Sequence, residues 1–89
     1  MLLHPDEIKK SIEPMGWSLS AGSISKEWSF SKYTSAIDFV VEVSKIADRL
    51  DHHPEMHIGY STVLVSISSH DLGGVSTKCV NLANMIDAL

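Results

Sequence analysis

The sequence predicts an α+β domain of order α-β-β-α-β-β-α, a four-stranded antiparallel sheet with helices packed on one face. Three observations carry this reading. Apolar residues between Lys32 and Leu50 recur at steps of three and four, as in an amphipathic helix. Those between Ser61 and Ser68 alternate, as in a half-buried strand. Strand-like runs come in pairs separated by helical ones, which favours hairpins over βαβ units. With 89 residues, 44 % of them hydrophobic and 20 % charged, the chain has an ordinary globular balance. It is read as one domain spanning residues 1–89, too short for two independent lobes.

The elements follow in order. His4-Pro5-Asp6-Glu7 places proline and acids where a helix begins, and Ile8, Ile12 and Met15 continue at helical spacing until Pro14 and Gly16 stop it. From Trp17 the period changes to two. Trp17 and Leu19 alternate with serines, Ala21-Gly22-Ser23 forms a turn, and Ile24, Trp28 and Phe30 share one face of a second run. In the main helix Ala36, Phe39, Val40, Val43, Ile46, Ala47 and Leu50 face inward, leaving Asp38, Glu42, Lys45 and Arg49 outward. Pro54 forces His53 into an extended conformation, so this helix ends around Asp51 or His52. A short strand around His57 to Gly59 precedes the clear one, in which Val63, Val65 and Ile67 alternate with Thr62, Leu64, Ser66 and Ser68. Asp71-Leu72-Gly73-Gly74 then turns the chain, and Ser76 caps a final helix with Cys79, Leu82, Ala83, Ile86 and Leu89 inward. Exposed sheet edges in so short a chain point to self-association.

Charge and composition exclude several classes. Seven Lys plus Arg against eleven Asp plus Glu give a formal charge of −4, with no electrostatic footprint for phosphate backbones, so no direct nucleic-acid partner is expected. The aromatic residues Trp17, Trp28, Phe30 and Phe39 fall on apolar faces and read as core. A single cysteine, Cys79, lies on the apolar stripe of the last helix; it suits a reducing compartment and is too little for a structural zinc site. No apolar run approaches the roughly 20 residues of a membrane span, and the start turns acidic at once. The chain is therefore read as soluble and cytoplasmic, without a membrane partner.

Five histidines are the compositional oddity. His52 and His53 stand just past a helix, beside Asp48 and Asp51, and His70 just past a strand, beside Ser69 and Asp71. Ends of elements let side chains converge without distorting regular backbone. Three readings are open at this point. Imidazole titrates near pH 6.5, so a cluster can both donate and accept protons at neutral pH. Three histidines and an aspartate can also ligate zinc, although adjacent residues of an extended segment point to opposite sides. Surface or capping histidines without a role are the third reading, and His4 and His57 belong there. Gly73-Gly74 is too short for a phosphate loop.

Asp48-Arg49-Leu50-Asp51-His52-His53-Pro54-Glu55, then Tyr60, then Ser69-His70-Asp71, resembles the pterin-4a-carbinolamine dehydratase family. Gly16-Trp17, the run Trp28-Ser29-Phe30-Ser31-Lys32-Tyr33 and Asn81-Leu82-Ala83 extend the resemblance over nearly the whole chain. It implies dehydration of 4a-hydroxytetrahydropterin, the carbinolamine left by aromatic amino-acid hydroxylases, to quinonoid dihydropterin, and hence a role in tetrahydrobiopterin recycling. The family needs no metal or other cofactor. Carried over residue by residue, its catalytic histidines fall on His52, His53 and His70. The pterin-contacting residues become Asp48, His52, His53, Pro54, Ser69, His70, Asp71 and Leu72. Such an enzyme is expected as a homodimer or homotetramer with a functional link to a hydroxylase. Some relatives also serve as dimerisation cofactors of a homeodomain transcription factor, a non-enzymatic alternative with a possible nuclear role. Two departures stand out. Met56 replaces a tryptophan common after His-His-Pro-Glu, and Lys78-Cys79 replace a common Arg-Asp pair. An aspartate at the second position would orient a histidine or contact ligand, and Cys79 is expected to do neither well at neutral pH.

Overall fold

The computed structural model of the chain describes residues 2–69 and 73–89. Helix α1 (Pro5–Ile12) opens with Pro5 at its first position. The Asp6 N–H donates to His4 Nδ1 and the His4 N–H to Glu7 Oε1, each at 3.2 Å. His4 is thus a helix cap. The helix tightens into a 3-10 turn over Glu13–Met15 and ends at Gly16, whose φ of 86° is left-handed.

Strands β1 (Ser18–Ser20) and β2 (Ser23–Ser29) form the first hairpin. Its two-residue turn places Ala21 at φ 51° and Gly22 at φ 78°, the double left-handed geometry whose twist suits a tight hairpin. Helix α2 (Tyr33–Leu50) follows, then β3 (Glu55–Ile58) and β4 (Thr62–Ile67), then α3 (Thr77–Asp87). The sheet order is β1-β2-β4-β3, antiparallel throughout, as the sequence predicts.

Register sorts the residues onto two faces. Trp28 lies opposite Val63, Met56 opposite Val65 and Ile24 opposite Ile67, so these side chains share the face covered by helices. Val63, Val65 and Ile67 are fully buried, while Leu64 and Ser66 on the other face are half-buried. Ala36, Val43, Ile46 and Ala47 of α2 and Leu82, Ala83 and Ile86 of α3 close the core, with Phe39, Val40 and Leu50 packed against it. Trp17, Trp28, Phe39 and Phe30 form a chain of ring contacts at centroid distances of 4.9–5.6 Å, as expected of core aromatics.

Three details differ from the sequence reading. The third strand runs over Glu55–Ile58 rather than around residues 57–59, because Pro54 already holds the chain extended and the Gly59 N–H turns to bond Thr62 O at 2.8 Å. Leu89 is exposed, since α3 ends at Asp87 and the stripe ends with it. Lys26 occupies the covered face between Ile24 and Trp28. Its Nζ donates to Met15 O at 2.6 Å and to Asp87 Oδ1 at 3.0 Å, and it lies 5.2 Å from the Trp28 ring centroid. Asp87 Oδ2 also accepts the Trp17 indole N–H at 2.9 Å. Among the described residues, no helix is long and apolar enough to cross a membrane.

Candidate active site

The site is built where α2 stops. Asp51 adopts a left-handed conformation (φ 51°, ψ 44°) and donates its N–H back to Asp48 O, while the His52 N–H returns to Ala47 O at 3.1 Å. This reversal leads through residues 52–54 into β3, and because Pro54 favours an extended residue before it, adjacent side chains should diverge there. They do. The half-buried His52 turns its Nε2 to within 3.3 Å of Cys79 Sγ in the first turn of α3. His53 turns its Nε2 to Asp48 Oδ1 at 2.9 Å, on the last turns of α2. The His53 and Asp48 side chains are 60 % and 79 % exposed, so this pair is a solvated contact worth little by itself. Pro54 is half-buried between His53 and the start of β3.

A second set of groups approaches from the same end of the sheet, where the end of β4 pairs with the start of β3. Just past β4, the buried Ser69 donates its N–H to Gly74 O at 2.7 Å and accepts the Gly73 N–H at 2.8 Å, closing a tight clip. Gly73, at φ 71°, supplies the left-handed backbone that this clip requires. The Ser69 hydroxyl lies 2.6 Å from the Ser76 hydroxyl and 3.3 Å from Cys79 Sγ. The Ser76 N–H donates to Sγ at 3.4 Å, with the thiol in the place of the Glu or Gln side chain of a capping box.

Of the residues singled out from the sequence, the structure brings Ser69 and His52 together through Cys79, and Asp48 together with His53. His70, Asp71 and Leu72 lie outside the described residues. Met56 packs against the core, and His57 is exposed on β3. Ser76 was read from the sequence only as a helix cap; its fully buried hydroxyl is also part of this cluster, and no sequence pattern marks that second role. Cys79 is buried, as its place on the apolar stripe predicts, yet it does contact a histidine. Sulfur's longer reach and its ability both to donate and to accept bring it within hydrogen-bonding range of His52 Nε2 and Ser69 Oγ. Among the described residues, no group of three or more His, Cys, Asp or Glu could hold a metal ion. A cavity of about 410 Å³ between α1 and the β1–β2 turn, lined by Leu3, Ile8, Leu19 and Val75 among others, contains none of these side chains.

The chemistry available is that of two imidazoles in contrasting settings, one seated on a buried thiol and one open to water beside a carboxylate. Imidazole is suited to moving protons near neutral pH.

Comparison with known proteins gives this arrangement a family. The profile of the family described as pterin 4 alpha carbinolamine dehydratase matches residues 1–89. A protein of Sulfurisphaera tokodaii named provisionally as a pterin-4-alpha-carbinolamine dehydratase is 39 % identical over 88 residues, covering 98 % of this chain and 95 % of the relative. One of the same name from Sulfolobus acidocaldarius is 34 % identical over 90 residues, covering 100 % and 99 %. A crystal structure of a transcriptional coactivator/pterin dehydratase from Brucella melitensis superimposes with a TM-score of 0.92 over 99 % of this chain and 97 % of that one, at 25 % identity. A pterin dehydratase-like RuBisCO assembly factor of the alpha-carboxysome shares the fold at a TM-score of 0.66 and 16 % identity, over 81 % and 83 %. With a matching profile over its whole length, a relative this similar and the predicted α+β architecture in place, the chain belongs to the pterin 4 alpha carbinolamine dehydratase family.

Proposed function

We propose that this protein dehydrates 4a-hydroxytetrahydropterin to quinonoid dihydropterin by histidine acid-base catalysis, in the recycling of tetrahydrobiopterin. The reaction loses one water. A proton goes to the departing 4a-hydroxyl, the C–O bond breaks, and a proton leaves a ring nitrogen, so no electrons are exchanged with an outside partner and no nucleophile is needed. His52, His53 and His70 share the donor and acceptor tasks, each proton transfer contributing on the order of 10²- to 10⁴-fold. Asp48, Pro54, Ser69, Asp71 and Leu72 complete the pterin contacts.

One observation supports this reading above the others: Ser69, the residue before His70, is linked through Cys79 to His52, so segments far apart in the chain share one hydrogen-bonded cluster. The substrate comes from a hydroxylase, and the working form is a cytoplasmic homodimer or homotetramer of this single domain.

The test is the decay of 4a-hydroxytetrahydropterin generated in situ by a hydroxylase, followed with the wild type and with His52→Ala and His70→Ala. Acceleration by the wild type that falls at least a hundred-fold in both variants is expected. No acceleration by the wild type refutes the enzymatic reading and leaves the dimerisation-cofactor alternative, which neither variant should disturb.

A further inference from the structure

Cys79 contacts His52, yet the reaction above assigns it nothing, and its surroundings are specific. Four polar atoms from three residues other than itself lie within hydrogen-bonding reach of Sγ: His52 Nε2 and Ser69 Oγ at 3.3 Å, Ser76 N at 3.4 Å and Ser76 Oγ at 3.6 Å. The sulfur and both serines are buried. Their protons can be traced. The Ser76 N–H only donates, and it donates to Sγ. The two serine hydroxyls share one hydrogen bond at 2.6 Å, which uses one of their two protons. Whichever hydroxyl accepts in that bond still has its own proton, and Sγ is within reach of both oxygens. Sulfur can then accept from two directions on the serine side, an arrangement that frees the thiol proton for the imidazole.

We propose that Cys79 is a positioning residue for His52: its thiol donates to Nε2 and so fixes the ring's orientation and holds the ring proton on Nδ1. The role rests on the assignment of His52 as a working acid or base. An imidazole has two nitrogens, and the one carrying the proton is set by the partner of the other. A carboxylate at this position would do the reverse, because it can only accept and would draw the proton to Nε2. The thiol therefore selects a different tautomer from the one an aspartate would select.

The test uses the full-length ¹⁵N-labelled protein, with long-range ¹H–¹⁵N spectra of the histidine rings assigned through His52→Ala, alongside dehydration kinetics. For the wild type, Nδ1-protonated His52 is expected. Cys79→Ser, whose hydroxyl can donate in the same direction, should keep that pattern. Cys79→Ala should lose it, and Cys79→Asp should move the proton to Nε2. In the kinetic arm, Cys79→Ala should lower kcat by about 10- to 100-fold with KM little changed, by analogy with outer partners of metal-held imidazoles, and Cys79→Ser should restore most of it. A thiol that merely filled core volume would leave the ring pattern unmoved. Wild-type His52 protonated on Nε2, a ring pattern indifferent to Cys79→Ala and Cys79→Asp, or an unchanged kcat in Cys79→Ala with an active wild type would each overturn the proposal. An inactive wild type would refute the proposed reaction instead, and the ring spectra would still decide what the thiol does to His52.

Discussion

Removing the Asp87 carboxylate tests how the far end of the core is held. Asp87 is the last residue of α3, where the negative end of the helix dipole disfavours an acid by about 0.3–1 kcal/mol. Tertiary contacts must therefore outweigh a local penalty. Oδ2 accepts the indole N–H of Trp17, a residue only 2 % exposed, and Oδ1 accepts from Lys26, the two charged side chains being 19 % and 24 % exposed. Asp87→Ala strands the indole donor in the core at about 1–3 kcal/mol and breaks a charge-assisted bond worth about 1.5–3 kcal/mol. Lys26 keeps its bond to Met15 O, and relief of the dipole clash returns part of the loss. A net destabilisation of about 2–3 kcal/mol is expected, a fall in Tm on the order of 10–20 °C for a domain of this size. Asp87→Asn keeps an acceptor for the indole and should lose about 1 kcal/mol. Thermal unfolding of both variants, of Trp17→Phe and of the double variant gives the measurement. A Tm within about 3 °C of wild type for Asp87→Ala, or additive effects of Trp17→Phe and Asp87→Ala, would refute the coupling.

Three further outcomes follow from the same structure. Ala21→Asn, at φ 51° in the first hairpin turn, should raise stability by about 0.5–1 kcal/mol, because Asn tolerates the left-handed region better than Ala; a lower Tm would contradict the turn assignment. Asp48→Asn should leave stability within about 0.5 kcal/mol of wild type, since the pair with His53 is solvated, and should reduce the dehydration rate by less than ten-fold; a loss as large as that of His52→Ala would show that His53 depends on that carboxylate. A chelator should leave the dehydration rate unchanged, and loss of activity restored by added zinc would replace proton transfer with metal chemistry.

Most of the architecture was legible because apolar periodicity reports directly on burial. The inward residues of α2 and the alternation of Val63, Val65 and Ile67 are properties of neighbouring positions, and packing followed them. β3 was misplaced because the alternation of Glu55-Met56-His57-Ile58 is only four residues long and its limits are dictated by pairing with β4. Lys26 follows Ile24 and Trp28 onto the covered face by the same alternation, but the partners that satisfy it there, Met15 O and Asp87, come from other elements, and no local pattern joins them. At the site, the divergence of His52 and His53 could be read from the extended segment before Pro54. The convergence of His52, Ser69 and Ser76 on Cys79 could not, because a hydrogen-bonded cluster across the end of a sheet has no linear period.

The strand order also bears on how the chain reaches this structure. β1–β2 and β3–β4 are hairpins joined by short turns, and such units zip on a microsecond scale. β2 and β4 are different, because they meet only when the chain from Ser29 to Thr62 closes on itself. The entropy of that closure is reduced if α2 forms first and shortens the span, which gives the helix a kinetic role as a spacer beyond its packing. Substitutions along the β2–β4 seam, such as at Trp28 and Val63, should then slow folding.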